Sequence, residues 1–294
     1  MLKKIAIFGK SIEKEGIEYL QNLLNRLEFF NCTLSIYEPF YKKIENQVRF
    51  PSNLKFFNTH EELKDNAEIL LSIGGDGTLL DTITLIRNSG INVLGINLGR
   101  LGFLSSISKD EILPAIDKVL SGNFVLEQRT LLELSKPEAI FGDFNFALNE
   151  LSITKSSPHA LAVINVFVND SFLNKYWADG LLVATPTGST AYSLSCSGPI
   201  ITPESENFVI TPIATHNLTV RPIVIPDKCT IRITVEGRNQ NYQVGLDSRF
   251  QSLRMTDEII IKKANYKINL IQLHEKDFFN TIREKLLWGK DQRN

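Results

Sequence analysis

The chain has 294 residues, of which 43% are hydrophobic and 22% charged, and its 32 basic and 33 acidic residues leave a net charge of −1. That length supports two domains and that balance is ordinary for a water-soluble globular protein. It excludes a general nucleic-acid or membrane-surface binder, since both need a basic face, and no apolar segment approaches the ~20 residues that span a bilayer.

The first part alternates strand and helix. Residues 4–8 read as a buried strand, too short for a signal peptide and without a small-residue cleavage site. Ile12, Gly16, Ile17, Leu20, Leu24 and Leu27 then recur at helical spacing, and residues 32–37 are strand-like. Residues 38–58 are aromatic and polar without a clear period, and read as an irregular loop. Residues 68–73 form an apolar strand that runs into Gly74-Gly75-Asp76-Gly77. Leu79, Leu80, Ile83 and Ile86 line a helix that Gly90 would stop, and residues 93–96 return as a strand. This alternation predicts a parallel sheet flanked by helices, with ligands at the carboxyl ends of its strands.

After a helix over 110–120 the character changes. Residues 147–154, 160–168, 181–184, 208–213 and 230–235 are strand-like runs separated by turn residues, and 258–262 and 268–273 add two strands. A terminal helix over about 276–287 carries Phe278, Phe279, Ile282, Leu286 and Leu287 on one stripe. The organisation expected is an α/β domain over 1–123, joined by 274–294 packing back onto it, and a β-rich sandwich domain over 124–273.

Four motifs carry chemistry. The Gly-Gly-Asp-Gly loop joins a strand to a helix N-terminus, where free backbone N–H groups and the helix dipole favour a phosphate. Asp76 would repel that phosphate, which makes sense if it holds a cation or takes a proton from an attacking hydroxyl; the plainer reading is a helix cap. Gly9-Lys10-Ser11 lacks the earlier glycine of a P-loop. In Asn97-Leu98-Gly99-Arg100-Leu101-Gly102-Phe103-Leu104, Phe103 is either a ring that stacks on a base or a core residue after a glycine turn. Asn149-Glu150 can hydrogen-bond a ribose diol or an adenine edge, although alone it reads as a strand-end pair on a solvated rim. Asp179-Gly180 leads into Thr185-Pro186-Thr187-Gly188-Ser189-Thr190-Ala191-Tyr192-Ser193, whose hydroxyls and helix-start N–H groups suit phosphate, sugar or amide ligands.

His60, His159, His216 and His274 have no metal-ligand spacing and read as surface or core polar residues. Cys32, Cys196 and Cys229 are far apart with no CxxC, which fits buried thiols in the reducing cytoplasm.

These motifs, in this order, resemble the NAD kinase family over most of the chain. The resemblance implies an α/β domain joined to a β-sandwich, a homodimer or homotetramer, and NAD and ATP (or polyphosphate) as substrates, with no nucleic acid or membrane partner. Asp76 would be the base facing the 2′-hydroxyl of the adenosine ribose of NAD, and Gly74, Gly75 and Gly77 would sit at the phosphates. Asn149 and Glu150 would hold the adenosine with Phe103 on the base. Asp179, Thr187, Thr190, Ala191, Tyr192, Ser193 and Ser195 would position the dinucleotide. Magnesium would arrive with ATP, since no all-protein metal site is visible. Two departures stand out: Trp177 where many members carry a basic residue, and Arg249 where glutamine is common. A lipid or sugar-phosphate kinase shares the glycine loop but not Asn149-Glu150 with the hydroxyl-rich turn, and a non-catalytic dinucleotide sensor would have no use for Asp76.

Overall fold

Strand β1 (Lys4–Gly9) lies inside the sheet of the first unit, with a parallel neighbour on each side. The computed structural model describes residues 3–99, 102–105, 107–156, 162–237, 240–273 and 277–289; Arg100, His159, His274 and the first residues expected for the 160–168 and 276–287 elements lie outside them. The chain forms two compact units: everything up to Gln128 together with everything from Ile268 onward, and Arg129–Lys267.

In the first unit β1 leads through α1 (Ile17–Phe29) to β2 (Thr33–Tyr37), α2 (Glu38–Ile44), β3 (Lys55–Phe57) and α3 (His60–Leu63). Then follow β4 (Ile69–Ile73), α4 (Asp76–Ile86), β5 (Asn92–Asn97), β6 (Ile107–Ser108) and α5 (Ile112–Ser121). The strands pair in parallel in the order β5-β4-β1-β2-β3. Strands β2 and β3 step away from β1 in one direction, and β4 returns on its other side. The reversal falls between the carboxyl ends of β1 and β4, where open α/β sheets bind ligands.

All five residues of β4 are buried, as an apolar run covered on both faces requires. Helix α1 buries Leu20, Leu23, Leu24 and Leu27, one stripe at helical spacing. On α4 the buried residues are Leu79, Thr82, Ile83 and Ile86, with Leu80 only half-buried. Thr82 is accommodated because its hydroxyl bonds Thr78 O and Ser72 Oγ, each at 3.0 Å. The helix ends at Ile86 on a left-handed Arg87, before Gly90 is reached.

Residues 38–58 are not an irregular loop. Pro39 sits in the first turn of α2, a position where its fixed φ helps and its missing N–H costs nothing. Phe40, Ile44 and Val48 are buried, and Tyr41 packs between Phe50 and Phe56 at ring distances of 5.0 and 4.8 Å.

The second unit takes up β7 (Val125–Lys136) and continues with β8 (Phe146–Ala147), β9 (Glu150–Lys155), β10 (Ala162–Val168), β11 (Ser171–Ala178) and β12 (Gly180–Ala184). A short α6 (Tyr192–Ser195) precedes β13 (Asn207–Ile213), β14 (Ile223–Pro226), β15 (Ile231–Gly237), β16 (Asn241–Leu246), β17 (Arg249–Arg254) and β18 (Ile259–Gln272). One antiparallel sheet runs β14-β13-β12-β9-β16-β17, and β11-β10-β15-β18 form a second antiparallel set. Leu151, Ile153, Leu181 and Phe208 of the first share one core with Ile164, Val166, Ile233 and Ile261 of the second, so the unit is a sandwich.

The two expected strands, 258–262 and 268–273, are one strand, β18 (Ile259–Gln272), whose buried positions change parity along it, from Ile259 and Ile261 to Ala264, Ile268 and Leu270. Helix α7 (Phe278–Leu286) closes the described chain in the first unit. Among the described residues no helix is long and apolar enough to cross a membrane.

Candidate active site

Where β4 ends, the Gly74 N–H donates to Ile96 O of β5 at 2.8 Å, and Gly75 is the extended N-cap of α4. Asp76, the first helical residue, turns its carboxylate onto the chain that follows β5. Oδ2 accepts the Phe103 N–H at 2.8 Å, while Oδ1 accepts those of Leu104 at 3.1 Å and Ser105 at 3.0 Å. Two motifs distant in sequence are thus tied by one carboxylate through charge-assisted bonds. Gly102 is forced by this contact, since a Cβ there would overlap the Asp76 carboxylate. Gly77 is exposed, and a Cβ on it would meet nothing within 4 Å. Phe103 is half-buried.

A cleft of about 270 Å³ opens beside the loop, lined among others by Gly74, Gly75, Thr78, Asn97, Gly99 and Lys109. Asn97 is buried and its Oδ1 accepts the Gly99 N–H at 2.8 Å, which holds the far wall. The cleft combines glycine backbone, the start of an eleven-residue helix and Lys109, which suit phosphate, with the carboxylates of Glu13 and Glu15, which oppose it.

In the second unit Asn149 and Glu150 stand at the head of β9, and the pairing of Glu150 with Ala184 brings the end of β12 beside them. There the chain breaks into the hydroxyl-rich turn. Thr185 donates its N–H to Asn149 O at 2.8 Å and its hydroxyl to Leu148 O at 2.5 Å. Gly188 packs so closely that a Cβ would overlap the Asn149 carbonyl. The Tyr192 N–H donates to the Glu150 carboxylate. The third and fourth motifs are one structure.

Much of the hydroxyl array is used inside the fold. Ser189 Oγ bonds Pro186 O at 2.6 Å, Ser193 Oγ lies 2.9 Å from Thr211 Oγ1, and Thr190 Oγ1 donates to Thr187 O at 3.1 Å. The Thr187 hydroxyl accepts from Arg129 at 3.3 Å. Tyr192 and Ser195 are exposed and Ala191 partly so. Asp179, just before β12, accepts the Lys155 ammonium at 2.6 Å.

Electrostatics single out Glu150. Burial first, and then the charge of Asp247, push its pKa up to about 8, against the lowering effect of the Tyr192 N–H. Burial raises the Tyr192 phenol too, with Cys196, Asp179 and Glu150 adding to it. Glu150 Oε2 and Asn149 Oδ1 are buried acceptors with no hydrogen-bond partner among the described residues. Adjacent unpartnered acceptors are costly in a fold, and a ligand carrying N–H or O–H donors removes the cost.

Sequence reasoning missed the role of Asp247 as an acceptor for this segment and the partners of Arg249 and Lys155. The register of β9 with β16, Leu151 opposite Leu246, brings Asp247 to Asn149-Glu150, and no local pattern announces it. His60 Nδ1 lies 2.7 Å from Leu85 O, and the backbone N–H of His216 donates to Trp177 O at 2.8 Å. No group of three or more His, Cys, Asp or Glu residues able to hold a metal occurs among the described residues.

Comparison with known proteins covers both units. Residues 5–124 match the family model of the ATP-NAD kinase N-terminal domain, and residues 148–273 that of the ATP-NAD kinase C-terminal domain. The chain is 45% identical over 294 residues to the NAD kinase of Flavobacterium psychrophilum, covering 99% of this chain and 100% of that one. It is 43% identical over 292 residues to the NAD kinase of Cytophaga hutchinsonii, covering 98% and 99%. Among solved structures it resembles yeast NADH kinase complexed with NADH, with a TM-score of 0.88 and 27% identity over 99% of this chain and 89% of that one. The fold is also that of an NAD kinase from Archaeoglobus fulgidus in complex with ATP, with a TM-score of 0.73 and 23% identity over 96% and 98%.

Proposed function

Because the chain belongs to the NAD kinase family, we propose that it transfers the γ-phosphoryl group of ATP, or a terminal phosphoryl group of polyphosphate, to the 2′-hydroxyl of the adenosine ribose of NAD, giving NADP. The 2′-oxygen forms the new bond to phosphorus, the bond to the leaving phosphate breaks, and the hydroxyl proton passes to Asp76. A ribose hydroxyl is a weak nucleophile at neutral pH, and a positioned base typically contributes ~10²–10⁴ in rate.

The observation that carries this reading is the bonding of Asp76. A carboxylate offers about four lone-pair positions, and only Phe103 binds Oδ2 among the described partners. The side chain is therefore oriented by backbone while Oδ2 keeps capacity for a hydroxyl. Gly74, Gly75 and Gly77 receive phosphate in this reading. Asn149 and Glu150 accept donors of the adenosine, Phe103 packs on the base, and Asp179, Thr187, Thr190, Ala191, Tyr192, Ser193 and Ser195 position the dinucleotide, the buried hydroxyls by shaping the turn.

Magnesium enters as the complex with ATP. The reading extends to a homodimer or homotetramer, on the family resemblance, and to the cytoplasm, which suits three unbonded cysteines. Incubation with ATP, magnesium and NAD, followed by an NADP-specific dehydrogenase, tests the reaction. NADP formation is the expected result, and phosphorylation of a lipid or sugar without NADP would end the reading; a parallel reaction with polyphosphate decides the donor.

A further inference from the structure

The backbone of Leu148, Asn149 and Glu150 is pinned at every polar group. Their three successive N–H groups converge on the half-buried Asp247 carboxylate at 2.8, 2.8 and 3.2 Å. Their carbonyls accept from Thr185 Oγ1, the Thr185 N–H and the Asp247 N–H, the last at 3.1 Å. Successive N–H groups gathered on one anion form a rigid nest. What this leaves without a partner among the described residues is a pair of side-chain acceptors, Asn149 Oδ1 and Glu150 Oε2.

The same turn grips the preceding residues with the opposite charge. Arg249 donates to Phe144 O at 2.5 Å and to Phe146 O, and its guanidinium stacks on the Phe144 ring at 4.9 Å. A cation thus holds carbonyls of the approach to β9 and an anion holds N–H groups at its head. Both come from the two-residue connection between β16 and β17 or its edge. Asp247 sits at φ +53°, a left-handed conformation disfavoured for a residue with a Cβ. A glycine would relieve that conformation and would lose the clamp.

We propose that Asp247 and Arg249 form a positioning clamp that aims the Asn149 and Glu150 side chains at the adenosine of the dinucleotide. The inference rests on the proposed role of Asn149 and Glu150, and Asp247 acts through them rather than on the substrate. The side chain at 249 is then part of the recognition machinery of this chain, through the carbonyls it binds.

The test compares Asp247→Asn and Arg249→Gln with Asn149→Ala and Glu150→Ala in the whole chain, measuring KM for NAD, KM for ATP, kcat and amide hydrogen exchange over residues 148–150. The amide of Asp247→Asn has one acceptor oxygen for three N–H groups. We expect KM for NAD to rise about tenfold or more, the size expected when charge-assisted hydrogen bonds are lost. The loss should fall on KM for NAD rather than on kcat or KM for ATP, with faster exchange at 148–150. Arg249→Gln should act in the same direction more weakly, and it decides the matter if Asp247→Asn does not fold. If the Asn149 and Glu150 variants raise KM for NAD while both clamp variants leave it unchanged, the clamp is overturned and the binding role stands. If the Asn149 and Glu150 variants leave KM for NAD unchanged, the adenosine role falls and the clamp falls with it.

Discussion

Oδ2 of Asp76 accepts the backbone N–H of Phe103 at 2.8 Å across 27 residues of chain. The residue that would take the hydroxyl proton is therefore also the residue that fixes the segment after β5. A variant of Asp76 can act by losing a base or by releasing that segment, and the neighbouring glycines separate the two effects.

Gly102→Ala places a methyl group on the Asp76 carboxylate, and Gly77→Ala places one in open space. Gly102→Ala should lower Tm and turnover together, with a cost of about 1–3 kcal/mol typical of overpacking. Gly77→Ala should keep Tm within a degree or two, since surface changes cost about 0.5 kcal/mol or less. Any rise in its KM for ATP or NAD then reports a phosphate packed against the missing Cβ. Unchanged kinetics in Gly77→Ala would remove Gly77 from the phosphate site.

Glu150 gives a pH signature. Its pKa is raised from 4.5 to about 8 in the folded protein. At low pH the group is neutral in both states. As pH climbs from about 4.5 to about 8 the unfolded chain ionises while the folded one keeps its proton, so the stability held by the protonated form is progressively lost. Glu150→Gln lacks this loss. Its Tm advantage over wild type should widen between about pH 5 and about pH 8 and then level off. Parallel Tm curves across that range would mean that Glu150 ionises normally.

Tyr192 is 44% exposed and donates its backbone N–H, not its ring, to Glu150. Tyr192→Ala should therefore raise KM for NAD about three- to tenfold, the scale of one aromatic contact, and leave Tm almost unchanged. A lower Tm with an unchanged KM would assign the ring to packing alone.

The legible parts of the molecule are those whose cause is local. β4 announces itself by five apolar-compatible residues ending in glycines, and α4 by the stripe that follows. The sandwich follows from short β-branched runs between turns. The 38–58 segment was opaque because Tyr41, Phe50 and Phe56 form a cluster through space and not a period along the chain. In β18 the lysines at 262, 263 and 267 interrupt the apolar pattern where the buried positions shift from Ile259 and Ile261 to Ala264, Ile268 and Leu270. Within the candidate site, the residue types of the four motifs could be read, but not the direction of the hydroxyls. Ser189 and Ser193 face partners inside the fold. Asp247 was invisible for a stricter reason: its role is set by cross-strand register, which one sequence does not contain.

The central chemical assignment, Asp76 as the base for the 2′-hydroxyl, is tested most directly by the kcat of Asp76→Asn, with NAD binding measured alongside. The amide keeps the size of the side chain and one acceptor oxygen but cannot take the proton at neutral pH. Turnover should fall by ~10²-fold or more, within the range a general base supplies, and further than in Gly102→Ala, which disturbs the same segment but keeps the carboxylate, while NAD still binds. Near-wild-type kcat in that variant would contradict the assignment.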